Sequence, residues 1–199
     1  MTEIRKARVI ILATHGFEQS ELMVPQRKLK DAGAQVDVVS PERGQIRGWK
    51  DKDWGESVAV DKSLDDASAD DYDAIVLPGG QINPDLLRVN QKALQLVRSF
   101  LDSGKVVAAI CHAPWILVEL DAVRDLQVTS YKSIKKDVVN AGGKWVDQAV
   151  VTDRGIITSR NPGDLDAFCA KIIEEIEEGN HAGRRTAGAK QTEPRTGVH

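Results

Sequence analysis

Cys111 and His112 are the residues best suited to covalent chemistry, and they stand side by side after the apolar run 106–110. A thiolate is a strong nucleophile, and a neighbouring imidazole can act as its general base or, once protonated, hold its negative charge. Glu18 follows another apolar run, 9–13, and supplies a carboxyl group. If burial keeps that carboxyl protonated, it can donate a hydrogen bond to the thiolate. These side chains predict a cysteine-centred site, provided that the fold brings them together.

The chain alternates between short apolar runs and amphipathic helical patterns. The runs at 9–13, 74–77 and 106–110 predict strands that are buried on both faces, and 36–39 predicts a further strand. Apolar residues at helical spacing predict helices at 20–32, 93–101 and 165–176. The Asp-Arg-Gly triplet at 153–155 predicts an antiparallel hairpin within 144–160. Because strands separated by helices form crossover units, we expect an α/β fold whose mostly parallel sheet carries helices on both sides, plus a small antiparallel hairpin.

Ligands of an open parallel sheet bind beyond the carboxyl ends of its strands. Three predicted strand ends carry groups that suit chemistry, at 14–18, 77–80 and 110–114. The turn at Gly79 and Gly80 would present free backbone N–H groups at the same rim as Glu18 and Cys111. The sheet therefore predicts that a carboxyl, a glycine turn and a thiol converge.

Cys111 lies between a predicted strand and a predicted helix. On so tight a turn the side chain is pushed out at the top of the sheet, and the helix N-terminus lowers the thiol pKa. The alternative is that Cys111 is simply the sixth apolar residue of its strand. Cys169 lies within the apolar stripe of 165–176, which predicts a core residue.

The partners of these groups have alternative interpretations. Asp85 is the nearest acid that could orient His112, although an Asp at the start of a helix is equally well explained as a cap. Glu21, one helical turn after Glu18, is expected on a solvated helix face or at a subunit contact. Outside the last twenty residues the histidines are His15 and His112, and no cysteine pair has ligand spacing. The sequence therefore predicts no metal site.

Composition limits the classes of partner. The 199 residues carry a formal net charge of −3, from 27 basic and 30 acidic side chains, too small and mixed to indicate nucleic-acid binding. No apolar run approaches the ~20 residues of a membrane span, and residues 1–8 lack the apolar region of an export signal. We therefore expect a cytoplasmic protein with one α/β domain at 1–179 and a disordered basic tail at 180–199.

The order and spacing of several motifs resemble the PfpI (intracellular protease I) branch of the ThiJ/PfpI superfamily. The motifs cover nearly the whole of 1–179 and are FEQSEL (17–22), SPERG (40–44), YDAIVLPGG (72–80), AICHAP (109–114), TSY (129–131), DVVNAG (137–142) and SRNPGDL (159–165). The resemblance implies a flavodoxin-like three-layer sandwich related to the class I glutamine amidotransferases. It also implies a homo-oligomer, dimer or larger, and a mechanism without a cofactor.

Carried over position by position, the resemblance implies that Cys111 is the nucleophile and Glu18 its hydrogen-bonding carboxyl. His112 corresponds to the adjacent histidine. Backbone N–H groups around Gly79, Gly80 and His112 correspond to the oxyanion hole.

The sequence departs from this pattern in two places. In the protease members, an acid from a neighbouring subunit orients the histidine; Asp85 is the closest match, but the loop is one residue longer and those members have Glu. Ala113 stands where the family usually has Gly, and its methyl group is expected to narrow the oxyanion pocket or shift the turn. Both departures weaken the expectation of a proteolytic triad more than that of a reactive thiol.

The resemblance leaves three functions open. The first is a stress-protective cysteine hydrolase that acts on methylglyoxal or glycated adducts, as glyoxalase- and deglycase-like relatives do. The second is an intracellular cysteine peptidase. The third is a non-enzymatic redox or stress sensor, in which Cys111 is oxidised and Glu18 stabilises the product. A single domain without a substrate-binding module favours small carbonyl substrates over long peptides, and hence the first function.

Overall fold

A computed structural model describes residues 2–181. The strands in this range are β1 (Arg8–Leu12), β2 (Gln35–Ser40), β3 (Gln45–Lys50), β4 (Asp53–Ala59), β5 (Lys62–Ser63), β6 (Ala74–Leu77), β7 (Val106–Ile110), β8 (Gln127–Val128), β9 (Lys144–Trp145), β10 (Val150–Asp153) and β11 (Ile156–Ser159). The α-helices are α1 (Gln19–Asp31), α2 (Ile82–Leu87), α3 (Gln91–Asp102), α4 (Pro114–Glu119), α5 (Lys135–Asn140) and α6 (Leu165–Glu178).

Seven of these strands form the central sheet, in the order β10-β11-β7-β6-β1-β2-β5. Neighbouring strands are parallel except β10 and β11, which form an antiparallel hairpin with Val151 opposite Thr158. The four predicted strands are β1, β2, β6 and β7, which all lie inside the sheet; α1 connects β1 to β2, and α3 lies between β6 and β7, in parallel order. The prediction of a mostly parallel sheet with a small hairpin is confirmed.

Strands β6 and β7, and β1 from Val9 onward, are apolar because each has two buried faces. Ile10 and Leu12 of β1 belong to a core that contains residues of α2 to α5. Val9 and Ile11, which alternate with them, belong to a second core that contains residues of α1 and α6. Side chains that alternate between two cores produce an unbroken apolar run instead of an alternating one. The sheet is therefore the middle layer of three.

Strands β3 and β4 form a separate antiparallel hairpin, with Trp49 opposite Trp54. Alternating residues at 57–61 predict an edge strand, which coincides with only the end of β4. Most side chains of the rest of the hairpin are exposed or half-buried, so that part lacks the apolar alternation that identifies strands. The hairpin is attached to the sheet edge of the site, because Trp49 N–H donates to Phe17 O (2.7 Å).

Asn180 and His181 are bound to the turn between α3 and β7. Asn180 Nδ2 donates to Ser103 O (2.8 Å), and His181 N–H donates to Gly104 O (2.8 Å). The predicted tail at 180–199 therefore begins with two anchored residues, while 182–199 lie outside the described residues. Among residues 2–181, no helix combines the length and the hydropathy that a membrane crossing requires.

Candidate active site

Cys111 occupies a strained turn at the carboxyl end of β7. Its φ is +64°, in the left-handed region that non-glycine residues seldom adopt. Two backbone hydrogen bonds hold it there: Cys111 N–H donates to Ser159 O (3.0 Å), and Tyr131 N–H donates to Cys111 O (2.8 Å). The predicted sharp turn between strand and helix is present, and it directs the thiol towards the cleft beyond the end of β7.

The thiol lines a cleft of about 560 Å³ at this end of the sheet. Only 6% of Cys111 is exposed, so the sulfur is reached through the cleft. Its lining combines acidic, aromatic and backbone polar groups and is formed by Gly16, Glu18, Glu21, Trp49, Asp51, Gly80, Gln81, Ile82, Cys111, His112, Tyr131 and Pro162. The loops after β1, β6 and β7 all contribute to it, as the sheet topology predicts.

Glu21, and not Glu18, is the carboxyl group beside Cys111. Glu21 is fully buried, its Oε2 accepts the Gly79 N–H (2.8 Å), and its carboxyl lies within hydrogen-bonding reach of the thiol. Glu18 precedes the first turn of α1, is half-buried, and accepts a hydrogen bond from Ser20 Oγ (3.2 Å). The predicted pairing of Glu18 with Cys111 and the predicted solvation of Glu21 are thus both corrected, because α1 turns Glu21 inward.

Burial controls the protonation of this pair. It raises the pKa of Glu21 to about 8, so the carboxyl carries a proton at neutral pH. Burial also raises the pKa of the Cys111 thiol, and an ionised Glu21 would raise it further, whereas the N–H groups of Gly80 and His112 lower it. The expectation that a helix N-terminus lowers this pKa overall is corrected, because desolvation is the larger effect. With Glu21 protonated, its O–H can donate to the sulfur and favour the thiolate.

His112 bridges the thiol and a serine that the sequence did not single out. Its Nδ1 lies 3.1 Å from Cys111 Sγ, and its Nε2 lies 3.0 Å from Ser133 Oγ. The ring stacks on Tyr131 (4.9 Å between centroids) and meets Trp115 edge-on (5.2 Å). Burial lowers the pKa of His112, which favours neutral imidazole. Ser133 lies two residues after the TSY motif, the one signal that could have drawn attention to it.

Asp85 does not orient His112 within the protomer. It is exposed on α2, and its carboxyl group forms no hydrogen bond or ion pair with another residue in the range 2–181. Ser133 instead takes the second ring nitrogen. That Asp85 of one subunit orients the histidine of another stays a prediction.

Two of the three predicted oxyanion donors face the sulfur. The N–H groups of Gly80 and His112 point to Cys111, whereas the Gly79 N–H is bound by Glu21. Position 79 has no room for a side chain, since a Cβ there would lie 2.6 Å from Glu21 Oε2 and 2.7 Å from Cys111 Cβ. Ala113 has an ordinary φ of −59° and its methyl group lies in the core. The expectation that this methyl group narrows the oxyanion pocket is therefore corrected.

Asn83 connects the loop after β1 to the loop after β6, a role that the sequence did not indicate. It is fully buried. Its Oδ1 accepts the Thr14 N–H (2.7 Å), and its Nδ2 donates to Pro78 O (2.8 Å). The loop after β1 and the loop after β6 are therefore tied together beside the cleft. Within the described part of the chain, no cluster of three His, Cys, Asp or Glu side chains could hold a metal ion.

Comparison with known proteins agrees with this architecture. The model of the DJ-1/PfpI family matches residues 7–175. The Pyrococcus furiosus protein named Deglycase PfpI is 39% identical over 170 residues, which span 85% of this chain and 99% of the relative. General stress protein 18 of Bacillus subtilis is 36% identical over 172 residues, 86% of this chain and 98% of the relative.

A solved structure shows the same fold. It is a two-domain protein of Anabaena variabilis that contains DJ-1/ThiJ/PfpI-like and ferritin-like domains. The two structures agree with a TM-score of 0.82 at 37% sequence identity, over 86% of this chain. The chain spans about half of that protein, 48% of its length.

Proposed function

Because the chain belongs to the DJ-1/PfpI family, we propose that it is a cysteine hydrolase that removes methylglyoxal or its early adducts with cellular nucleophiles. The observation that carries the proposal is the arrangement around one sulfur. Cys111 lies in a cleft between the Glu21 carboxyl, the Nδ1 of His112 and two backbone N–H groups. These are a nucleophile, an acid, a base and oxyanion donors.

The first step is addition of the Cys111 sulfur to the aldehyde carbon, as the thiol proton passes to Nδ1 of His112. His112 becomes neutral again by returning this proton to Glu21 once Glu21 has protonated the alkoxide. The S–C bond forms as the carbonyl electron pair moves to oxygen, which the N–H groups of Gly80 and His112 stabilise. Protonated Glu21 supplies the proton that converts the alkoxide to a hemithioacetal. Its raised pKa suits it to this task, because a carboxyl with an ordinary pKa would be ionised at neutral pH.

The second step moves a proton between the two substrate carbons. Neutral His112 takes the proton from the former aldehyde carbon, the electron pair passes to the adjacent ketone, and reprotonation at that carbon leaves a lactoyl thioester. Water then cleaves the C–S bond and releases lactate with the free thiol. The sum is methylglyoxal plus water to lactate and a proton. A hemithioacetal or hemiaminal adduct first collapses to the aldehyde, its carrier leaving with the hydroxyl proton, and the Cys111 sulfur then adds as above.

Two features support a small carbonyl substrate in a protective role. The cleft has the size of a small-molecule pocket, and similar proteins carry the names deglycase and general stress protein. The peptidase alternative needs Asp85 from a neighbouring subunit, and no feature of the protomer favours it over the first function. We further propose a cytoplasmic location and a homo-oligomeric state, both from the family resemblance.

The test is lactate formation from methylglyoxal by the full-length chain. We expect Cys111→Ser to lower kcat by at least ~10³-fold, because the serine hydroxyl has no comparable base to activate it. Cys169→Ser is the matched control and should stay within ~2-fold, because Cys169 is buried and is absent from the cleft lining of the described chain. Activity that survives in Cys111→Ser would refute the thiol mechanism. An inactive wild-type chain would instead leave sensing as the function to pursue.

A further inference from the structure

Asn83 is a buried amide beside the cleft that the proposed mechanism does not use. Its exposed fraction is 0%, and it is absent from the cleft lining of the described chain. It belongs to the first turn of the short helix α2, just after the turn at Gly79 and Gly80. A buried amide is stable only when its polar atoms are hydrogen-bonded, and the partners of this one are all backbone groups.

The Asn83 side chain uses both ends of its amide at once. Its Oδ1 accepts the Thr14 N–H (2.7 Å) from the loop after β1. Its Nδ2 donates to Pro78 O (2.8 Å) and to Gly79 O (3.3 Å) in the loop after β6. These bonds require an acceptor and a donor on one short side chain, and the amide has both. The orientation of the Pro78 and Gly79 carbonyls is therefore tied to the loop after β1.

The two carbonyls that Asn83 binds belong to the two peptide units of the glycine turn. Pro78 O shares a peptide unit with the Gly79 N–H, which donates to Glu21 Oε2 (2.8 Å). Gly79 O shares a peptide unit with the Gly80 N–H, which faces the sulfur of the reactive cysteine. Because a peptide unit is planar, its C=O and N–H turn together. By holding the two carbonyls, Asn83 sets the direction of both N–H groups.

The glycine turn needs this external support because it has no side chains of its own. Gly80 has φ of +78°, and glycine adopts many backbone conformations at little cost. Larger residues do not fit, because a Cβ at position 80 would lie 2.5 Å from Gly16 O and 2.7 Å from Glu18 N. The Glu18 N–H supports one of the two carbonyls, Gly79 O (3.3 Å), whereas Asn83 binds both.

We propose that Asn83 is a positioning residue, which aims the two N–H groups of the glycine turn at Glu21 and at the oxyanion that forms on the substrate. The inference rests on the proposed function and adds a residue that acts on the reaction without touching the substrate. An N–H that is fixed before the reaction stabilises a developing alkoxide without reorganisation. If the peptide planes rotate, this stabilisation is lost from the transition state, whereas binding of the neutral substrate is little affected.

Asn83→Asp tests the donor half of the amide with almost no change of shape. The ionised carboxylate still accepts the Thr14 N–H but repels Pro78 O and Gly79 O, so both peptide units should turn. We expect kcat for methylglyoxal to fall roughly 10- to 100-fold, because a misaimed N–H costs part of the ~10²–10³ that the loss of an oxyanion donor costs. KM should change little.

The pH profile of Asn83→Asp gives a signature that a merely structural role lacks. Burial favours the protonated form of a carboxyl group, and a protonated carboxyl has an O–H donor in place of the amide N–H. The ratio of variant to wild-type kcat should therefore rise as the pH falls from about 8 to about 6. Asn83→Ala removes the amide without adding a titratable group, so its kcat should be low by a similar factor at both pH values. Recovery in both variants or in neither would overturn the inference.

Asn90→Asp is the matched control variant. Asn90 is the N-cap of α3, where its Oδ1 accepts the Ala93 N–H (3.1 Å), an interaction that a carboxylate also makes. It is absent from the cleft lining of the described chain. The same substitution there adds the same charge just beyond α2, so kcat should stay within ~2-fold of wild type. An equal fall in Asn90→Asp would show that the added charge lowers the rate, and the inference would be wrong.

Amide hydrogen exchange tests the inference without turnover, on whichever of the two Asn83 variants folds. The wild-type Gly79 N–H is bound to the buried Glu21 carboxyl, so it should exchange slowly. In the variant we expect exchange at Gly79 and Gly80 to be at least ~10-fold faster. The Val107 N–H of β7, which donates to Gly155 O (3.1 Å), should exchange as in wild type. Faster exchange at Val107 by the same factor would indicate a global loss of stability and would reject a positioning role.

The outcomes separate failure of the inference from failure of the proposed function. If methylglyoxal is turned over and the Asn83 variants keep the wild-type kcat, Asn83 does not position the oxyanion donor and the proposed function stands. Wild-type exchange at Gly79 and Gly80 in the variants would reject the inference in the same way. If the wild type turns over nothing, the proposed function fails, and faster exchange confined to the glycine turn would still show that Asn83 holds its N–H groups.

Discussion

Cys111 and Cys169 are both free and both buried, with 6% and 1% of their surfaces exposed. Burial raises the thiol pKa of each, and for Cys169 the value is about 11. Exposure and pKa direction therefore do not distinguish them. The surroundings do: the Cys111 sulfur meets a carboxyl, an imidazole and two N–H groups, whereas Cys169 lies on the inner face of α6.

The difference shows that a reactive thiol is defined by its polar partners and its backbone. Cys169 has helical backbone, in which any residue is accommodated. Cys111 is held in the left-handed region by Ser159 and Tyr131. A non-glycine residue there costs on the order of 1–3 kcal/mol, and the rest of the fold must offset it. Each prediction below removes or probes one of the features that distinguish Cys111 from Cys169.

The largest effect is expected when the carboxyl partner is removed. Glu21→Gln keeps an acceptor for the Gly79 N–H but loses the acidic proton, so kcat for methylglyoxal should fall by roughly 10²-fold. Glu18→Gln, measured in parallel, should lose far less on this neutral substrate. A larger loss in Glu18→Gln than in Glu21→Gln would restore the pairing that the sequence suggested.

Stability should respond to pH through the same carboxyl. A pKa raised from 4.5 to about 8 means that the folded protein binds this proton more tightly than the unfolded chain. The stabilisation is fully present below pH 4.5 and is lost as the pH rises to about 8. The free energy of unfolding of the wild type should therefore fall by about 2 kcal/mol or more between pH 5 and pH 8, relative to that of Glu21→Gln. Urea unfolding of both proteins at pH 5 and at pH 8 measures this change. If the wild type instead became more stable relative to Glu21→Gln as the pH rises, the raised pKa of Glu21 would be contradicted.

Oxidation compares the two cysteines directly. Mild peroxide should add oxygen to Cys111 at least about 10-fold faster than to Cys169, because the first lines a cleft and has donors for a charged product. Peptide mapping by mass spectrometry measures both sites in one sample. Glu21→Gln should lower the yield at Cys111 and leave Cys169 as it was; equal rates at both cysteines would remove the distinction.

The smallest effect concerns the orientation of His112. Ser133→Ala removes the partner of Nε2, while Tyr131 and Trp115 still hold the ring. One hydrogen bond is worth about 0.5–1.5 kcal/mol, so kcat should fall roughly 2- to 10-fold, with an altered pH profile and little change in KM. Ser133→Thr should restore most of the rate. If Asp85→Asn costs more than Ser133→Ala, a neighbouring subunit orients the histidine instead.

The layered fold could be predicted because buried parallel strands leave an unmistakable pattern. The runs at β1, β6 and β7 are apolar on both faces, and helices α1 and α3 follow β1 and β6 as crossovers to parallel strands. The converging strand ends followed from that order. Most of the β3–β4 hairpin could not be predicted in the same way, because outside the alternation at 57–61 its exposed strands satisfy no apolar period.

The details of the site depended on contacts that the sequence does not encode locally. Glu18 and Glu21 are three residues apart at the start of one helix, and the direction of α1 relative to the Gly79 turn decides which of them faces Cys111. Ser133 reaches His112 from a segment 21 residues away. Such pairings are set by how elements pack, so residue type and spacing narrowed the candidates without choosing among them.

The anchoring of Asn180 and His181 has a practical consequence for labelling. Both bind the turn that precedes β7, whereas Cys111 follows the other end of that five-residue strand, which is on the order of 16 Å long at ~3.3 Å per residue. A fluorophore or affinity handle joined after His181 therefore starts from the far edge of the sheet. It can report on binding at the cleft while its attachment point stays remote from the sulfur.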